Sequence, residues 1–159
     1  MMENTNLYHS LSLIVPEIIL SVALIVLVLA DLIFHKDKKF IPYIALAAIA
    51  ITGYFTLIQF GNFGSAFSTS DATSTDYGMF AVDSFGIFFK MIVVVSSLFI
   101  IFFSFGSDEI NKIKDRIGEY YALIFGMILG MFFMISATDL ILIYLSMELM
   151  SLSSYVLSG

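Results

Sequence analysis

Glu148 stands in the stretch YLSMELMSLSSY (144–155), where a carboxylate, two phenols and several hydroxyls interrupt an otherwise apolar run. Tyr144, Ser151 and Tyr155 flank Glu148 at steps of three and four residues, which puts all four on one face of a helix. Ser153 and Ser154 widen that polar flank, while Leu145, Leu149, Leu152 and Val156 form an apolar one. A carboxylate binds and releases a proton, and hydroxyls and phenols along the same stripe hold the ordered water through which it travels. Desolvation and nearby charge compete to set the protonation of such a group, so it can be switched. The structural alternative is a neutral, hydrogen-bonded carboxyl that joins helices. Lys90 is the second charge inside an apolar run. It serves either as a charge partner or as a cation whose stem runs outward to the headgroups.

The elements that position these residues follow from composition. Of the 159 residues 60% are hydrophobic and only 13% charged. Soluble domains carry about 25% charged residues, so the chain reads as a polytopic membrane protein. A helix needs about 20 mainly apolar residues to cross the hydrocarbon core. Stretches 16–34, 40–60, 82–105, 119–136 and 139–159 meet that requirement. They lack the alternation of barrel strands, so the expected fold is an all-α, polytopic membrane helical bundle forming a single membrane domain. The first stretch lacks the preceding basic segment of a signal peptide and reads as a retained span.

Six of the seven Lys and Arg residues fall in two loops, Lys36, Lys38 and Lys39 in one and Lys112, Lys114 and Arg116 in the other. The positive-inside rule places these loops in the cytoplasm and the N-terminus outside, in a multi-pass membrane protein. The third and fifth spans then enter from the same side. Glu148 lies about 13 to 14 Å inside the fifth, and Lys90 about 10 to 11 Å inside the third. If those helices are neighbours, Lys90 and Glu148 pair across their interface.

Other residues carry less chemistry. Without cysteine there is no disulfide framework and no thiolate or iron–sulfur ligation, and His9 and His35 make a poor metal site. No basic cluster suits a nucleic acid. Pro16–Glu17 reads as a helix start, with proline in the first turn and an acid where the helix dipole favours one. Asp83 and Asp139 open spans, where they act as caps or collect protons at the mouth of a pathway. Glu119 opens the fourth span in the same way, and interface solvation suffices for Asp31. Gly126 and Gly130 form a GxxxG that allows close helix approach. The Gly-, Ser-, Thr- and Asp-rich segment 61–78 reads as a surface connection.

VPEIILSVALIVLVLADLIF (15–34), GMFAVDSFGIFFK (78–90) and above all GEYYALIFGMILGMFFMISATDLILIYLSMELMSLSSYVLSG (118–159) resemble subunit N of the proton-pumping NADH:quinone oxidoreductase, complex I. That family groups antiporter-like subunits of about fourteen helices, with inverted repeats and a chain of charged residues along the membrane midplane. The resemblance implies that Glu148 matches the family's functional glutamate and couples electron transfer from NADH to quinone, in partner subunits, to proton pumping. It implies partnership with other membrane-arm subunits and the lipid bilayer. It also implies that the chain itself binds no cofactor, with NADH, FMN, iron–sulfur clusters and quinone belonging to the partners. A lysine on a broken helix, the expected partner of the glutamate, would lie beyond Gly159, so the chain looks like an N-terminal fragment. Two alternatives stand beside this reading, an Mrp-type monovalent cation/proton antiporter subunit and a nonpumping membrane scaffold.

Overall fold

The computed structural model describes residues 11, 13–33, 40–60, 64–66, 79–105 and 116–159. His9, His35, Lys36, Lys38, Lys39, Lys112, Lys114 and most of segment 61–78 lie outside the described residues. Among the described residues five helices are long and apolar enough to cross a membrane: α1 (Val15–Ile33), α2 (Ile41–Ile58), α3 (Ser84–Phe105), α4 (Ile117–Ser136) and α5 (Leu140–Ser158). The expected all-α polytopic bundle is therefore present. A bilayer leaves no water for unpaired backbone groups, and continuous helices satisfy those groups internally.

Each of α1, α2, α3 and α4 packs against the next, and α4 closes the ring on α1. α5 lies outside this ring with α4 as its principal neighbour, so α4 packs against every other helix. Leu20 and Leu27 of α1, Ile49 of α2, Ile101 of α3 and Phe125 of α4 fill the ring interior with no exposed surface. Large apolar side chains such as Leu32, Phe85, Phe99 and Phe103 point outward, as a lipid-facing surface requires. Thr52, Thr56, Ser97 and Ser146 donate their hydroxyl protons to carbonyls of their own helices, so these polar groups cost little in an apolar setting.

Close approach of α4 and α5 depends on the GxxxG pair. A Cβ on Gly126 would lie 2.7 Å from Ser153 Oγ, and one on Gly130 would lie 2.6 Å from Met150 Cγ and 3.1 Å from the Ser146 carbonyl oxygen. At the opposite end of α4, a Cβ on Gly118 would collide with the Asp31 side chain of α1.

Segment 61–78 is not purely a connection, because Gly64–Ala66 forms β1, which pairs antiparallel with β2, Phe80–Val82. Gly64 faces Val82, Ser65 faces Ala81 and Ala66 faces Phe80. The third span, expected to be helical from Val82, thus begins as helix only at Ser84. Asp83 sets that start, its Oδ1 accepting from the Gly86 amide at 2.7 Å. Phe80 also bridges to Ala137 between α4 and α5, and Leu13, Phe80, Val82 and Ile87 form a small second core. The hairpin therefore closes the end of the bundle where α1, α3 and α5 begin.

Replacing Gly130 by Ile should force α5 away from α4. Overpacking costs about 1 to 3 kcal/mol, so the variant should unfold at lower denaturant concentration than the parent in detergent micelles. Val156→Ile, on the exposed side of α5, should leave the midpoint in place.

Candidate functional site

Two charged sites occupy opposite sides of α4. The first is the Glu148 stripe. Asp139 caps α5 by accepting from the Ile141 amide at 3.3 Å, which fixes where the helix begins. Only Ser146 and Ser153 of this helix are buried, both turned towards the glycine face of α4. Glu148 lies two residues beyond Ser146, about 200° round the helix, and is exposed. Tyr144 and Tyr155 share that outward face, with 64% and 69% of their surface accessible. The Tyr144 phenol engages the Glu148 carboxylate one turn away. Ser151 donates to the Glu148 carbonyl oxygen at 3.1 Å, and Ser154 to the Ser151 carbonyl oxygen at 2.8 Å. These two hydroxyl protons are spent on the backbone, but their oxygens can still accept. The stripe therefore exists as a continuous face, with Glu148 at its middle and its acceptors turned away from the bundle.

Lys90 does not join it. Its Nζ lies 2.6 Å from Oε1 of Glu17, and the two side chains are 1% and 0% exposed. This corrects the expected Lys90–Glu148 pair and also the snorkelling alternative, since the ammonium ends on a carboxylate inside the bundle. It corrects the reading of Glu17 as well. Glu17 is in the first turn of α1, as a helix start requires, but its carboxylate is buried against a cation from another helix.

The geometry of this second site follows from side-chain direction. Helical side chains tilt towards the N-terminal end of their helix, so the long Lys90 stem reaches back along α3 to the level of Glu17 near the start of α1. The pair spans the diagonal of the ring. Two rings complete the enclosure, with Lys90 Nζ 5.2 Å from the Phe80 ring centroid and 5.7 Å from that of Phe132. Nearby on α2, Gln59 donates through Nε2 to the Leu13 carbonyl oxygen at 2.6 Å, tying the end of α2 to the turn that precedes α1.

Glu17 is the functional candidate that sequence reasoning missed. Depth was compared from Cα positions, which matched Lys90 with Glu148. Adding the reach of the lysine side chain towards its helix start would have put Glu17 on the same level. Asp83 and Asp139 both act as helix caps at the hairpin end. Among the described residues, no three His, Cys, Asp or Glu side chains converge to hold a metal ion.

No family model matches the chain. It is 41% identical over 150 residues to NADH-quinone oxidoreductase subunit N 2 of Chloroherpeton thalassium, covering 93% of this chain and 28% of that protein. It is 36% identical over 145 residues to subunit N of Anaeromyxobacter, covering 91% of this chain and 26% of that protein. It is 34% identical over 158 residues to subunit N of Bacillus anthracis, covering 98% and 29%. The chain thus spans less than a third of the length of these curated relatives.

Breaking one side of a buried ion pair typically costs about 3 to 5 kcal/mol, because a charge is left unpaired. Glu17→Leu and Lys90→Leu should each destabilise the bundle on that scale, and the double variant by much less than their sum. A double-mutant cycle read by helical circular dichroism during denaturation in micelles checks this. Additive effects would mean that the two residues act independently.

Proposed function

We propose that this chain, a relative of NADH-quinone oxidoreductase subunit N over nearly its whole length, is a membrane-embedded element of a redox-driven quinone oxidoreductase and translocates protons through Glu148. The observation that carries this reading is the placement of Glu148 on the outward face of a membrane-length helix. A carboxylate left in hydrocarbon costs several kcal/mol, about 2.5 to 3.5 on insertion scales. Such a group persists where protein or a water-filled path covers it. In this reading the Tyr144–Glu148–Tyr155 face lines such a path.

In this reading the Glu148 carboxylate accepts a proton from water on one side of the membrane, holds it while neutral, and returns it towards the other. Tyr144 lies one turn before it and Ser151 and Tyr155 follow, so groups able to hold water extend about 16 Å along α5. A cation brought near Glu148 by a covering helix favours the charged form, and its withdrawal favours the protonated one. The coupling to redox chemistry is electrostatic. Electrons pass through partner subunits that hold the flavin, iron–sulfur clusters, NADH and quinone, and this chain supplies no cysteine for a cluster. The relatives above are all named for quinone oxidoreduction, which favours this reading over the cation/proton antiporter.

Glu148→Gln keeps the shape and removes the charge. It should leave the membrane assembly intact and abolish most redox-driven proton uptake in vesicles, with Glu148→Asp retaining part of it. Full pumping by the Gln variant would defeat the proposal. The proposed orientation has its own test, since these 159 residues contain no cysteine. Single cysteines at Ser70 and Lys38 should react with an impermeant maleimide from opposite sides, Ser70 from outside; labelling of both from one side would overturn the topology.

A further inference from the structure

We infer that Glu17 and Lys90 form a second proton-holding site, inside the bundle beneath the β1–β2 hairpin, in which Glu17 carries the proton. The site does not depend on the role proposed for Glu148. Glu17 and Lys90 are the only charged side chains fully buried among the described residues. As an ion pair they are neutral together, but the pair is under-satisfied. A lysine ammonium offers three donors, and among the described residues its one close acceptor is Glu17 Oε1. Glu17 Oε2, Gln59 Oε1 and Ser136 Oγ are buried without a protein hydrogen-bond partner among those residues.

These orphan atoms sit at one end of the bundle. Ser136 lies one turn beyond Phe132, whose ring faces Lys90. Gln59 is bonded to Leu13, one turn before Glu17. Buried polar groups of this kind are met by water or by a proton.

The aromatic enclosure separates the two readings. A purely structural buried ion pair is held by its two charges and by hydrogen bonds to their remaining protons and lone pairs. Here the Phe80 and Phe132 rings offer their faces to the Lys90 ammonium, so the cation stays stabilised when its carboxylate partner is neutral. The step balances simply. A hydronium arriving from the hairpin end gives its proton to Glu17, forming one O–H bond. Lys90 keeps its three N–H bonds and rests on the rings, and the site passes from neutral to singly positive. Release reverses this. Among the described residues Lys90 is the one titratable side chain that acts on Glu17; around its ammonium α4 presents Phe132 and β2 presents Phe80, and Gln59 at the end of α2 binds Leu13. Asp83 and Asp139, nearest the aqueous end, are engaged as caps.

The test is infrared difference spectroscopy of the purified membrane assembly in liposomes while bulk pH is lowered, which needs neither electron transfer nor pumping. A protonated-carboxyl band that shifts in heavy water should grow in the parent. Its Glu17-dependent component, the parent spectrum minus that of Glu17→Gln, should remain when both spectra are taken in the Glu148→Gln background, so failure of the pumping proposal would leave this one standing. If Glu17→Gln does not assemble, the neutral pair Glu17→Gln/Lys90→Gln gives the same readout without a stranded charge. Phe132→Leu should reduce the band by about twofold or more at a given pH, since it removes one of the two faces that hold the free ammonium. A parent spectrum with no Glu17-dependent band, or one unchanged by Phe132→Leu, would overturn the inference.

Discussion

Close contact along α4 is the constraint on which the rest of the molecule depends. In a lipid solvent, apolar side chains gain nothing by leaving the tails for one another, and helices associate where their backbones come near enough for dense packing. α4 supplies such approach on two sides, at Gly126 and Gly130 for α5 and at Gly118 for Asp31 of α1. Because every other helix leans on α4, its residues set the spacing of the whole bundle. Phe132 faces the buried pair, whereas Gly126 and Gly130 carry the helix that displays Glu148. One helix therefore holds two charged sites apart, one enclosed and one open.

The contrast between those sites is a contrast in how a bilayer charge is compensated. Glu17 meets its counter-charge within the five helices, at contact distance and out of solvent. Glu148 has the Tyr144 phenol beside it and is turned outward. The enclosed carboxylate has its counter-charge at hand, and the open one is turned to the surface of the bundle.

Much of this architecture was legible in the sequence because bilayer thickness dictates helix length and apolar runs of that length are plain to see. The GxxxG of α4 was legible for a related reason, since its effect depends on local spacing. Partnership between charges was not. Which cation meets which anion depends on the cyclic order of helices and on side-chain reach, and neither leaves a periodic trace. Lys90 was matched to Glu148 by depth, whereas the ring places it across from Glu17. The hairpin escaped notice because three residues of Gly, Ser and Ala cannot be told from a turn, and its strength lies in Phe80 and Val82 of the other strand.

The enclosed pair also bears on how the chain enters the membrane. Glu17 and Lys90 lie on helices separated by a whole span, so during synthesis α1 must partition into lipid with an acid aboard before its counter-ion has been made. α3 must then follow with its own base. These two spans are the most apolar of the five. Their surplus of Ile, Leu, Val and Phe offsets a charge that is solitary only for the interval between the insertion of the first helix and the third, and it remains in the finished protein as a trace of that order of events.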